Sequence, residues 1–348
     1  MTKKSSSQPI ASLSLDLDNE WAYLMTHGND AWKSYPTYLP TVVPRVLDVL
    51  NQLGLSISFF VVGADAVRPE NREAIKALAD AGHEIGNHSF RHQPWLHLYS
   101  KQEIVDEFAR TEDALGEATG RQVVGFRGPG YSLSPDVLDV LVERGYEYDA
   151  STLPTYIGPV SRAFYFRSAQ LTEAQRAERS LLFGSWREGL RPLKPYIWRT
   201  NNGGSMLEIP VSTLPGGRVP IHISYLLYLA AVRPQLATAY FATALRICQV
   251  AGLEPSILLH PLDFLGADDV ETLAFFPAMS MGGERKTQLV KGYLRQLGDS
   301  FAVVSMERHA RHISTTKRDL PTQVLDPVTI APGSNPRFSE LQDTSVSA

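Results

Sequence analysis

Two aspartates, two histidines four residues apart, an arginine and a late histidine are the residues of this chain that could do chemistry together. Asp16-Leu17-Asp18 places two carboxylates two residues apart, so in a strand both project from one face. There they repel one another unless a cation or an arginine lies close, or unless the strand end faces solvent. His88 and His92, in GNHSFRHQPW, stand at i and i+4. A single helical turn would put both imidazoles on one side, able to share a metal ion or to hydrogen-bond at a surface. Arg127, Asp149 and His260 stand apart in sequence, and each ends a short run with strand character.

Those runs are what must bring the residues together. Segments with β character alternate with amphipathic helical patterns along most of the chain, which indicates a βα-repeating α/β fold and excludes a sandwich or a helical bundle. Strands are expected at 10–17, 56–62, 83–87, 123–127, 146–151, 206–211, 256–260 and 301–306. Helices are expected at 40–53, stopped by Gly54, and from Pro69 to just before Gly82. Further helices are expected from Ser100, which with Glu103 forms a capping box, to about 118, and at 134–144, 234–251 and 283–297. On this register Asp16 and Asp18 end the first strand, His88 the third, Arg127 the fourth, Asp149 the fifth and His260 the late one. All fall at the carboxyl edge of a parallel barrel, where loops converge on a pocket.

The 348 residues, 43% of them hydrophobic, suffice for one large barrel with a buried core. We expect a single barrel over 1–312. The segment 153–204, rich in arginine and aromatic residues and without an evident strand, is expected as a cap-like insertion, and 313–348 as a flexible tail. A net charge of −4 and a pI near 6.2 argue against nucleic acid as a partner. The longest apolar stretch, 221–232, is far short of the ~20 residues of a transmembrane segment. Cys248 is the one cysteine, so a metal must be held by histidine and carboxylate. No export signal is visible and a cytoplasmic protein is expected; a homo-oligomer is compatible with everything above.

DLDNEW, HSFRH, RGPGY and LLHPLD follow one another in the order and approximate spacing of the motifs of the polysaccharide deacetylase superfamily, carbohydrate esterase family four, which the chain resembles over about residues 10 to 265. The resemblance implies a distorted (β/α)7–8 barrel and one divalent metal ion, zinc by preference, held by Asp18, His88 and His92. It also implies Asp16 as catalytic base, Arg127 as the partner orienting it, and His260 as general acid. Asp149 is the first candidate for the carboxylate that keeps His260 charged, and Asp263 the second. A backbone N–H near Tyr131, in the Gly128-Pro129-Gly130 turn, would hold the oxyanion. Tyr131, Trp21 and Leu259 are expected to touch substrate.

The implied reaction is hydrolysis of a non-peptide C–N amide bond, foremost N-deacetylation of an N-acetylated amino sugar in a polysaccharide or its precursor. Asp-Leu-Asp in place of adjacent aspartates, and Tyr-Asp-Ala-Ser where many relatives have Asp-Trp, bring the chain closer to the allantoinase-like and peptidoglycan deacetylase-like branch. The alternatives are therefore a hydrolase of a small amide or ureide, and a catalytically silent glycan-binding barrel.

Overall fold

The computed structural model describes residues 8–158 and 186–326. Its strands are β1 (Ile10–Leu17), β2 (Ser58–Val61), β3 (Glu84–Asn87), β4 (Gly125–Phe126), β5 (Tyr148–Asp149), β6 (Tyr196–Arg199), β7 (Ser205–Glu208), β8 (Ser256–Leu259), β9 (Ala302–Val304) and β10 (Thr322–Val324). The helices are α1 (Glu20–Thr26), α2 (Leu39–Leu53), α3 (Gly63–Ala66), α4 (Pro69–Asp80), α5 (Lys101–Thr119), α6 (Pro135–Glu143), α7 (Ile223–Val232), α8 (Pro234–Val250), α9 (Gly283–Ser300) and α10 (Met306–Thr316).

The sheet runs β8-β1-β2-β3-β4-β5-β7, all parallel. Past β7 the chain returns to β8, where the Ser212 N–H donates to the Ser256 carbonyl (2.9 Å) and the Ser256 N–H to Ser212 Oγ (2.8 Å). Those bonds join the two ends of the seven-strand run into the expected distorted barrel, while β9 pairs with the first residues of β1.

Strand parity explains the interior. In β1, Leu13, Leu15 and Leu17 face outward into the main core, with Phe59, Val61, Ile85, Phe126, Ile257 and Leu259. The alternate residues Ser12, Ser14 and Asp16 therefore point inward. Phe60, Tyr148 and Leu207 fill the inside and meet Met306, Ala310 and Ile313 of α10, which plugs the amino end. The plug is fastened by Met306 N–H donating to Ser58 Oγ (2.6 Å) and Glu307 N–H to Glu84 Oε2 (2.8 Å). Gly125 makes room for this filling, since a Cβ there would lie 2.0 Å from the Tyr148 ring. Outside, α2 buries Val42, Val43, Val46, Val49 and Leu50, each worth about 1.5–3 kcal/mol of transfer free energy, and ends at Gly54 with φ 64°. The expected capping box at Ser100 is present on α5.

Two expectations need correction. Within 153–204, residues 196–199 form β6, antiparallel to β7, because Tyr196 and Trp198 alternate as strand residues do and bury on the outer face beside Glu208 and Met206. Within 313–348, α10 continues to Thr316 and β10 then pairs in parallel with β6, so 313–326 is built into the fold. The rest of the expected cap, 159–185, and of the expected tail, 327–348, lies outside the described residues. No helix among the described residues is long and apolar enough to cross a membrane.

Candidate metal centre and active site

Asp18 leaves the end of β1, and His88 directly follows β3. Across β2 between them, Leu17 pairs with Val61 and Val61 with Asn87, so both residues stand at the same level of the carboxyl edge. His92 reaches them from the loop after His88, and that loop is not the helical turn its spacing suggested. Ser89 and His92 have left-handed φ of 61° and 52°. The loop is held by side chains: Asn87 Oδ1 accepts from Ser89 N–H (2.7 Å), and Ser89 Oγ from His92 N–H (3.1 Å). Buried Glu107 of α5 takes the N–H groups of Phe90 and Arg91, both at 2.9 Å. Glu107 carries no motif signature and went unnoticed in the sequence.

The result is a buried cluster in which one ligand atom each from Asp18, His88 and His92 lies within 4.8 Å of the others. Asp18 Oδ1 is 3.2 Å from His88 Nε2 and 3.0 Å from His92 Nε2. The donor set fits a divalent ion. Asp18 Oδ1 and His92 Nε2 are buried with no hydrogen-bond partner, and a cation is what satisfies a converging carboxylate and imidazole lone pairs. His88 is prepared for this role: its Nδ1–H donates to the Arg127 carbonyl at 2.6 Å, which leaves Nε2 as the free lone pair. Burial alone would raise the Asp18 pKa, but the two imidazoles outweigh it and hold the carboxyl well below its usual range.

Asp16 sits one turn of the strand deeper, 5% exposed, with Oδ1 2.6 Å from Arg127 Nη1. The same guanidinium donates to Ser14 Oγ (2.8 Å) and through Nε to the Ala150 carbonyl (3.0 Å), and lies 4.4 Å from the centre of the Phe60 ring. Arg127 thus fixes Asp16 with its side chain and His88 with its backbone. His260, the residue after β8, faces the same opening. Its Nδ1 is 3.1 Å from Ser224 Oγ, and its backbone N–H donates to Asp263 Oδ2 at 2.8 Å.

A polysaccharide deacetylase family model matches residues 28–148, a stretch that holds His88, His92 and Arg127. A peptidoglycan deacetylase of Helicobacter pylori is 27% identical over 111 residues, 32% of this chain and 37% of that protein. A peptidoglycan-N-acetylmuramic acid deacetylase of Bacillus subtilis is 35% identical over 105 residues, 30% of this chain and 39% of that protein. Over these stretches the chain is similar to polysaccharide deacetylases. It spans well under half the length of these curated relatives. In fold it is similar to a Mycobacterium smegmatis crystal structure named for a polysaccharide deacetylase (TM-score 0.61, 19% identity, 93% of this chain and 96% of the other). It is likewise similar to that of a Puue allantoinase (TM-score 0.57, 16% identity, 90% and 93%).

Within this fold, four of the sequence assignments change. Asp149 is turned away from His260: it shares the outer sheet face with its register partners Phe126 and Glu208, and its carboxyl bonds to Ser151 Oγ and to Glu208. Asp263 stands behind His260 instead, with Ser224 bridging the two. Leu259 also has the wrong parity for substrate contact, since it pairs beside Leu15 and lies fully buried in the outer core. Trp21 is 2% exposed, its Nε1–H committed to Asp65 Oδ1 at 2.9 Å, and it braces the chain behind Asp18. The Tyr131 N–H closes its own turn onto the Gly128 carbonyl (2.9 Å) and is not available as an oxyanion donor. The Tyr131 side chain does face the site: burial and then the Asp16 charge push its hydroxyl pKa up.

His222, which has no informative sequence spacing, packs edge-on against His260 with ring centres 5.8 Å apart. Burial, reinforced by His260 and Arg127, lowers its pKa well below the usual value, so the ring is neutral.

The displaced Asp149 forms a proton-sharing pair with Glu208. Burial and then the Asp149 charge hold the Glu208 pKa well above the usual range, while Thr152 N–H (3.1 Å) and Trp198 Nε1–H (3.0 Å) donate to its carboxyl. A carboxyl pKa raised by folding stabilises fully below the unfolded value and loses that contribution as pH rises through the folded one. The melting temperature is therefore expected to fall as pH rises from the ordinary carboxyl range through the raised Glu208 pKa. Asp149→Asn, whose amide can donate to Glu208, should flatten that fall and raise stability at the alkaline end by about 1–3 kcal/mol. Thermal melts of both proteins across the range check it.

Proposed function

We propose that this protein is a metal-dependent amide hydrolase that removes the acetyl group from an N-acetylated amino sugar of a polysaccharide or its precursor, with zinc held by Asp18, His88 and His92. The observation that carries this reading is the convergence of the three ligand atoms beside the Asp16–Arg127 pair, with His260 across the opening. The names of the aligned relatives support the sugar amide as the substrate class.

A bound ion would polarise the amide carbonyl and acidify a water. Asp16, aimed by Arg127, accepts the proton of the attacking water. Arg127 cannot itself take that proton, because a guanidinium stays charged throughout the working pH range. His260, held through Ser224 by the Asp263 carboxyl, delivers a proton to the departing nitrogen. His222 walls the opening on the His260 side and is itself neutral.

Acetate release from N-acetylglucosamine oligomers is the test, with ureides as the competing substrates; turnover of ureides alone would transfer the reading to the allantoinase-like alternative. Tight glycan binding without any turnover would indicate the silent barrel. Metal removal gives an independent readout. Chelation is expected to lower the melting temperature, and zinc at about a hundredfold its Kd to restore about 3 kcal/mol. His92→Ala should abolish that zinc-dependent shift.

A further inference from the structure

Helix α3, the single turn that follows β2, stands between the two halves of the metal cluster, because β2 separates β1 from β3 in the sheet. Its backbone holds one half. Gly63 N–H donates to the Ser89 carbonyl (3.0 Å) and Ala64 N–H to the Phe90 carbonyl (2.9 Å), and both carbonyls belong to the loop that joins His88 to His92. Its charged side chain holds the other half. Asp65 is fully buried, and its Oδ1 accepts from Asn19 Nδ2 (2.8 Å) and Trp21 Nε1 (2.9 Å), in the chain that leaves Asp18. A third donor, Asn71 Nδ2 of α4, reaches the same oxygen at 3.2 Å. Asn19 passes the constraint on. Its Oδ1 accepts from the N–H groups of Glu20 (2.8 Å) and Tyr38 (3.3 Å), and the Tyr38 hydroxyl donates to the carbonyl of Asp18 itself.

The ligand atoms need such a hold. To bind an ion, Asp18 Oδ1 and the two Nε2 atoms must present lone pairs to one point, and lone pairs 3.0–3.2 Å apart repel one another until the ion is in place. Asp18 Oδ1 and His92 Nε2 have no hydrogen bond of their own to steady them. Their spacing is therefore set by the chain behind them, and α3 bonds to that chain on both sides. A carboxylate suits the task, since three N–H donors on one oxygen are drawn more strongly by a charged acceptor than by a neutral one.

We propose that Asp65 is a positioning residue for the metal: by tying the turn after Asp18 to the same α3 that grips the His88–His92 loop, it fixes the distance between the carboxylate and imidazole ligands. The proposal rests on the metal-site reading above. Asp65 touches neither the ion nor the substrate, so its loss should act first on metal affinity and ligand geometry.

The test is the zinc affinity of the full chain, measured by competition with a chromophoric chelator, beside the visible spectrum of the cobalt-loaded protein, which reports ligand geometry. Asp65→Asn keeps an acceptor in the same place and should hold zinc within about threefold of the unaltered protein. Asp65→Leu matches the size without the acceptor, and should weaken zinc by about 10–100-fold and shift the cobalt bands. Asn19→Ala cuts the same tie from the other end while Asp65 stays, and should weaken zinc by a similar factor of about 10–100. Asp65→Leu added to Asn19→Ala should then cost less than about threefold more, because the tie is already broken. Leu245→Ala, in the buried face of α8, lowers stability without touching either ligand loop and should leave zinc affinity within about twofold. Zinc affinity unchanged in both Asp65→Leu and Asn19→Ala, or weakened equally by Leu245→Ala, overturns the positioning role alone. Failure of the unaltered protein to bind zinc overturns the metal site, and the positioning role with it.

Discussion

Replacement of Asp16 by Asn is expected to cut turnover about a thousandfold and to leave metal binding intact. The first half follows from its position. Asp16 is the carboxylate beside the metal cluster that is not one of the converging ligands, and its Oδ1 is held at 2.6 Å by Arg127. A base placed in this way contributes on the order of 10²–10⁴ to rate. Asparagine matches its shape and keeps an oxygen for Arg127, yet cannot accept a proton at working pH. The second half follows from Asp18, whose carboxyl and the two imidazoles remain untouched. Zinc stoichiometry measured beside kcat separates the two roles: a variant that loses zinc together with activity would make Asp16 a ligand and displace the proposed mechanism.

That prediction could be written from the sequence because of strand parity and strand ends. Asp16 and Asp18 share a face through the two-residue period, and His88, Arg127 and His260 each follow their strands by one residue, so a parallel barrel gathers them at one edge. A strand end without the matching parity does not place a side chain in the site. Asp149 and Leu259 also sit at strand ends, but Phe126 and Leu15 beside them mark the outer face. A register check on neighbouring apolar residues would have found both. Other features left no local signal. Ser224 and His222 come to His260 through the long connection that carries α7, and Glu107 reaches the metal loop from the middle of an amphipathic helix. β10 is three residues of exposed or half-exposed edge strand without an apolar pattern, so propensity could not distinguish it from tail. His88 and His92 do come together, but not by the helical turn that the HxxxH spacing suggests. Left-handed residues and side-chain caps, not a helical turn, bring the two rings to 4.9 Å.

Arg127→Met is expected to cost about 3–5 kcal/mol of stability and to abolish turnover. Arg127 is 1% exposed, and its guanidinium serves Asp16, Ser14 and the Ala150 carbonyl together. Methionine approximates its aliphatic volume but leaves Asp16 as a buried anion with no partner, which is the expensive way to break such a pair. The backbone carbonyl that holds His88 Nδ1 survives the substitution, so the zinc-dependent rise in melting temperature should persist. Adding Asp16→Asn removes the stranded charge. The double variant is then expected to recover about 2 kcal/mol relative to Arg127→Met alone, with no recovery of activity. Urea denaturation of the four proteins in this cycle checks the argument. Strict additivity would mean that Asp16 and Arg127 are not coupled, and the orienting role assigned to Arg127 would fall with it.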